Sequence, residues 1–150
     1  MSSEGIELKV ARIHERAVLP HCGRPGDAGL DLYSVEDIVL APLRRAMIHT
    51  GIRLAIPPGH AGFVIPRSGH ALKSGLTLVN TPGLIDSNYR GEIRVIAYNS
   101  DPETPIEIKV GDRVAQLVVQ RVADLRVEEL PPEDLDDTVR GEAGFGSSGD

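Results

Sequence analysis

A succession of short extended segments, each cut off by Gly, Pro, Asn or Asp, runs through almost the whole sequence and restricts it to an all-β fold. From Glu7 to Ile13 the apolar Leu8 and Val10 alternate with polar neighbours, and Ile6 stands ahead of them. That period of two marks a half-buried strand, because successive side chains on a strand face opposite ways. Segments of the same kind are read at Gly29–Tyr33, Ile38–Leu40, Ala46–Ile56, Ala61–Ile65, Leu76–Val79, Ile93–Asn99, Ile106–Val110 and Val114–Val127. Turn residues separate them at Pro57-Pro58-Gly59, Pro82-Gly83, Asn99-Ser100-Asp101-Pro102 and Gly111-Asp112. The expected architecture is a jelly-roll-like domain, a distorted barrel or sandwich. One stretch breaks the pattern: Ser68 to Gly75 starts with an N-cap type residue and ends in glycine, which predicts a short helix.

A chain of 150 residues fits one domain, here residues 1–139, with 140–150 as a separate glycine-rich arm. Only 3% of residues are aromatic and Trp is absent, so the core must be built from Val, Ile, Leu and Ala. Such small side chains suggest that an oligomer supplies further burial. The arm, GEAGFGSSGD, has one large apolar side chain, Phe145, and cannot order itself by burial. The lone Cys22 excludes an internal disulfide, and the five His residues lack metal-ligand spacing. His21 and Cys22 are read as an exposed loop pair. No apolar run is long enough for a membrane span or signal peptide, so the expected compartment is cytoplasmic, with no membrane partner. The net charge of −6 speaks against a nucleic-acid partner. Any anionic substrate must therefore be met by local positive charge.

Five motifs carry more specific information: AGLDLYS at Ala28–Ser34, PRSGHALK at Pro66–Lys73, GLIDSNYRGEI at Gly83–Ile93, GDRVAQLVVQ at Gly111–Gln120 and RGEAGFGSSG at Arg140–Gly149. In order and spacing, from about Gly26 to Gly149, they resemble the trimeric dUTPase family. The resemblance implies hydrolysis of dUTP to dUMP and pyrophosphate by water attack at the α-phosphorus, with Mg2+. It further implies a homotrimer with shared active sites, an activity that limits uracil in DNA, and dUMP supplied for thymidylate synthesis.

Residue chemistry and resemblance can be set side by side. Arg67-Ser68-Gly69 lies where an extended run meets the short helix, so free backbone N–H groups face outward as an anion site. Arg67 adds a fork of donors suited to phosphate, and the Ser68 hydroxyl can bond the oxygen leaving with pyrophosphate. In the family this segment binds phosphates, which gives Arg67, Ser68 and Gly69 binding roles and Ser68 a catalytic one. Residues from Asn80 to Tyr89 read as a hairpin turning at Pro82-Gly83, whose main chain and Asn80 amide offer the donors and acceptors that a uracil edge requires. By resemblance this hairpin, with Leu84, Ile85 and Asp86, recognises uracil and leaves no space for a 5-methyl group.

Tyr89 resembles the family residue that packs under the sugar and excludes a 2′-hydroxyl. Asp86 is the expected general base, since a carboxylate within reach can align and deprotonate a water; taken alone it also fits the start of a turn with Ser87 and Asn88. Arg94 is read as facing the nucleotide and Arg90 as structural. Gln116 is a polar residue among apolar ones and needs partners; the resemblance makes it catalytic, bonding an α-phosphate oxygen or the attacking water. Asp112 and Arg113 are expected to pair with each other or across subunits. For Asp31 the resemblance implies an outer-sphere carboxylate for magnesium, which arrives on the triphosphate and keeps its waters. Asp27 is expected to cap a loop. Arg140, Phe145, Gly146 and Ser147 resemble the family's mobile arm, with the aromatic over uracil and the rest over the γ-phosphate.

Two other readings fit parts of this pattern. A dCTP deaminase shares this type of fold but needs a carboxylate at the ring, and a catalytically silent nucleotide-binding trimer would keep the pocket without turnover.

Overall fold

The computed structural model describes residues 5–144. Its strands are β1 (Lys9–Arg12), β2 (Leu30–Tyr33), β3 (Ile38–Leu40), β4 (Arg45–Ala55), β5 (His60–Ile65), β6 (Leu76–Leu78), β7 (Gly83–Ile85), β8 (Glu92–Asn99), β9 (Ile106–Ile108) and β10 (Arg113–Arg121), with a helix α1 (Ser68–Ser74) between β5 and β6. They form two four-stranded antiparallel sheets, β1-β4-β8-β6 and β2-β10-β5-β7, and a small β3-β9 pair. The all-β, jelly-roll-like expectation holds.

Alternation fixes which faces meet. Strand β8 turns Ile93, Val95 and Ala97 inward and Arg94 outward. Ile48, Ile52 and Val95 of the first sheet join Leu32, Val64 and Leu117 of the second in one apolar cluster. Each fully buried aliphatic side chain of this kind contributes about 1.5–3 kcal/mol relative to exposure. The pairing of β4 with β8 shifts register between His49 and Arg53. At that irregularity Gly51 has φ 66°, and a Cβ there would lie 2.7 Å from the His14 side chain and 2.9 Å from that of Val35. Glycine is therefore required by both backbone and space.

Three expectations are corrected. The extended run read to Val127 ends as a strand at Arg121: its partner β5 begins at His60, and the pairing closes with the Val122 N–H on the Gly59 carbonyl at 2.9 Å, where the partner chain turns at Pro57-Pro58-Gly59. Past that point Leu125 and Val127 are 82% and 98% exposed, an apolar alternation without a surface to cover it in this chain. The Pro82-Gly83 turn does not close a hairpin between neighbouring strands: β6 pairs with β8 and β7 pairs with β5, so the chain crosses from one sheet to the other there. Helix α1 forms as expected and ends at Gly75, φ 71°, whose N–H bonds the Ala71 carbonyl. Its N-cap, however, is Arg67, with Ser68 already the first helical residue and no side chain capping the end. The first-turn N–H groups are thus left for solvent or a ligand.

Candidate active site

On the outer face of the second sheet, the register sets Gln116 of β10 opposite Asp31 of β2 on one side and Ile65 of β5 on the other. Their side chains therefore share a face, while Leu117 and Val64 turn into the core. The Arg67 Nε donates to Asp31 Oδ1 at 2.9 Å, and Arg113 Nη1 lies 3.5 Å from Asp31 Oδ2. Of the two pairings expected for Asp112 and Arg113, the one within the chain does not form: the Asp112 carboxylate instead accepts the Lys109 N–H. Gln116 Nε2 donates to the Pro66 carbonyl at 3.0 Å. Its amide lies against bare backbone, since a Cβ on Gly29 would meet Gln116 Oε1.

Asp31, Arg67, Arg113 and Gln116, with Ser68, Gly69 and Arg24, line a recess of about 590 Å³. Asp27 caps its loop by accepting the Arg24 N–H, as expected. Arg24 and Arg113 were not singled out from the sequence for this recess, although Arg24 precedes the first motif and Arg113 lies within the fourth in an otherwise acidic chain. Positive charge is felt nearby: burial first, and then the Arg67 guanidinium, hold His70 below the ordinary imidazole value. His21, expected in an exposed loop with Cys22, stacks on Tyr33 with ring centroids 5.5 Å apart. Burial, then the Asp31 charge, raises the Tyr33 phenol.

A second recess, of about 230 Å³, lies at β7 and the turn that follows it. Asn80, Leu84, Ile85, Asp86, Tyr89 and Arg94 all line it. Asp86 opens a β-turn in which its carbonyl accepts the Tyr89 N–H at 3.1 Å, so the tight turn lies at residues 86–89. Arg90 Nη1 donates to the Ser87 and Tyr89 carbonyls, the structural role expected of it. The Tyr89 hydroxyl donates to the Glu92 carbonyl at 3.1 Å.

Glu92, which the sequence reading passed over, anchors the far side of this turn. One carboxylate oxygen accepts the Gly51 N–H at 2.9 Å and the other lies 2.8 Å from His49 Nδ1, bridging the β4 irregularity. Burial pushes its pKa up, but the His49 ring and the Gly51 N–H outweigh burial and hold it below the ordinary glutamate value. A carboxyl with a depressed folded-state pKa contributes stability that is complete above its unfolded value of about 4.3 and is lost as pH falls through the lower folded value. Acid melting curves should accordingly show less stability lost below about pH 4.3 for Glu92→Gln than for the wild type. Equal losses would remove Glu92 from the acid response.

The two recesses share no lining residue. Val64 lines the second and its chain neighbour Ile65 the first, and adjacent strand residues face opposite ways. One chain therefore gathers the expected site residues in two places: Asp31, Arg67, Ser68, Gly69 and Gln116 in one, and Asn80, Leu84, Ile85, Asp86, Tyr89 and Arg94 in the other. Arg140 joins neither recess; it is exposed, and its Nε donates to the Ala143 carbonyl. Phe145, Gly146 and Ser147 lie outside the described residues. Among the described residues no group of three or more His, Cys, Asp or Glu side chains is placed to hold a metal, and no helix is long and apolar enough to cross a membrane.

The model of the dUTPase family matches residues 15–149. The deoxyuridine 5'-triphosphate nucleotidohydrolase of Corynebacterium jeikeium is 51% identical over 143 residues, covering 95% of this chain and 92% of that one. Its counterpart from Thermobifida fusca is 49% identical over 144 residues, covering 96% and 79%. Among solved structures, the Staphylococcus bacteriophage 80alpha dUTPase with dUpNHpp superposes with a TM-score of 0.86 at 30% identity, over 95% of this chain and 98% of that one. A mutant dUTPase from phage phi11 of S. aureus, described for its coordination of a structural Mg(II) ion, gives a TM-score of 0.79 at 26% identity, over 87% and 100%. With a family model spanning nearly its whole length and relatives about half identical, this chain belongs to the dUTPase family.

Proposed function

We propose that this protein is a dUTP diphosphatase, hydrolysing dUTP to dUMP and pyrophosphate in active sites completed by three copies of the chain. The observation that carries this reading is the division of one chain into two complementary recesses. One offers an amide, main-chain groups, a tyrosine and a carboxylate, which suits a base, its sugar and an attacking water. The other offers guanidinium groups and uncapped helix N–H groups, which suits a triphosphate. A nucleotide that needs both requires a neighbouring copy, and the exposed Leu125 and Val127 supply apolar surface for such assembly. A cytoplasmic homotrimer with no nucleic-acid or membrane partner is the assembly proposed. Its product dUMP serves thymidylate synthesis, and removal of dUTP limits uracil in DNA.

In the reaction, Asp86 accepts a proton from a water whose oxygen bonds the α-phosphorus as the bond from that phosphorus to the bridging oxygen of pyrophosphate breaks. Gln116 orients an α-phosphate oxygen or the water, and Ser68 bonds the departing bridging oxygen. Arg67, held at Nε by Asp31, keeps its remaining donors for the phosphate chain. The Arg140 guanidinium and the Phe145-Gly146-Ser147 segment cover base and γ-phosphate. Asp31 fits an outer-sphere magnesium role: Oδ1 accepts the Arg67 Nε–H, Oδ2 lies 3.5 Å from Arg113 Nη1, and both oxygens retain capacity for a metal-bound water. When bound, Mg2+ neutralises charge on the phosphate chain. An ion carried in by the triphosphate keeps most of its waters and needs only one or two carboxylates from the protein.

A panel of dUTP, dCTP, dTTP and UTP with and without magnesium tests this reading. Pyrophosphate from dUTP is expected, with little from the other three; ammonia from dCTP would point to a deaminase, and no turnover to a silent binding protein. Tyr89→Ala should admit UTP, raising its kcat/KM relative to dUTP by roughly 10-fold or more if the ring blocks the 2′-hydroxyl. Unchanged discrimination would refute the steric role.

A further inference from the structure

Tyr89 is 41% exposed and lines its recess, so part of its ring faces solvent and is free of the core. Its hydroxyl is tied to the Glu92 carbonyl, and the rest of the ring edge lies over the backbone of Gly91. A Cβ on Gly91 would sit 2.9 Å from ring Cε2 and closer still to Cζ and Oη, a separation that real side chains do not tolerate. The backbone itself makes no demand for glycine, because the φ of Gly91 is outside the left-handed region. What requires glycine there is the space taken by the ring.

We propose that Gly91 is a positioning residue for sugar discrimination: its bare backbone seats the Tyr89 ring, and a single methyl group at position 91 displaces the ring from the sugar pocket. The surrounding backbone is held on both sides. Arg90 ties the Ser87 and Tyr89 carbonyls, and Glu92 is fixed through Gly51 and His49. When a methyl group is added, the part free to move is therefore the exposed ring, which turns about two side-chain torsions. The fold is expected to survive the change while ring placement does not. This inference rests on Tyr89 being the group that excludes the 2′-hydroxyl.

The test compares kcat/KM for dUTP and UTP in wild type, Gly91→Ala, Tyr89→Ala and the double variant, with melting temperatures alongside. Gly91→Ala should raise the UTP-to-dUTP ratio by about 10-fold with little change in Tm, and should add nothing in the Tyr89→Ala background, since the two changes act on one group. If Tyr89→Ala relaxes discrimination and Gly91→Ala does not, the inference is overturned while the role of Tyr89 stands. An equal effect of Gly91→Ala with and without the ring also overturns it, because the effect would then bypass Tyr89. Strict discrimination in Tyr89→Ala removes the role of Tyr89 itself, and the inference falls with it.

Discussion

Asp86→Asn should lower kcat for dUTP by about 10²–10⁴-fold, the usual contribution of a positioned general base, while leaving dUTP binding nearly unchanged. The substitution keeps the shape of the side chain and removes its capacity to accept a proton. It also leaves the turn intact, because the atom of Asp86 that closes the turn is its carbonyl, which accepts the Tyr89 N–H, and not its carboxylate. Loss of turnover with retained binding would thus separate the chemical role from the local structural one, which a larger change such as Asp86→Pro would confuse. Single-turnover measurements with titration of a non-hydrolysable dUTP analogue make the comparison, and near-wild-type turnover would take Asp86 out of the mechanism.

Removing residues 141–150 should reduce kcat/KM for dUTP by roughly 5- to 150-fold, taking about 1–3 kcal/mol for one base stacked on an aromatic. The glycines of this segment allow close backbone approach to phosphate, and covering the nucleotide excludes water and strengthens the charge contacts beneath. Assembly should be unaffected, because the apolar residues that need covering, Leu125 and Val127, lie ahead of the cut. Sedimentation and kinetics on the same truncated protein check both halves of the statement. An unchanged rate would leave the segment without a part in catalysis, and loss of the oligomer would give it a structural one.

Much of the fold was legible because strand formation here follows local alternation. The inward set of β8 and the glycine that ends α1 could be read directly from residue order. What could not be read depends on partners distant in sequence. The strand β7 has three residues and is defined by its pairing with β5, so its segment looked like one arm of a local hairpin. The run beyond Arg121 kept its alternation after its partner strand had ended, and alternation alone does not reveal where pairing stops. Ser68 carried the chemistry of a cap, yet the backbone of Arg67 takes that position.

The candidate site was legible by residue but not by arrangement. All five motifs were visible, but nothing in their order shows that the second sheet places Asp31 and Gln116 on one face and leaves Asp86 and Tyr89 in another recess. Nor does spacing indicate that Asp31 lies between Arg67 and Arg113. Both facts depend on cross-strand register. Gly91 is a further case, since its importance is evident only once the Tyr89 ring is seen lying across it.

The most direct measurement is the position of an oxygen isotope. Purified protein hydrolysing dUTP in ¹⁸O-water with magnesium should place one heavy oxygen in dUMP and none in pyrophosphate, as water attack at the α-phosphorus demands. Heavy oxygen in the pyrophosphate would contradict that account, and so would protein that releases no pyrophosphate at all.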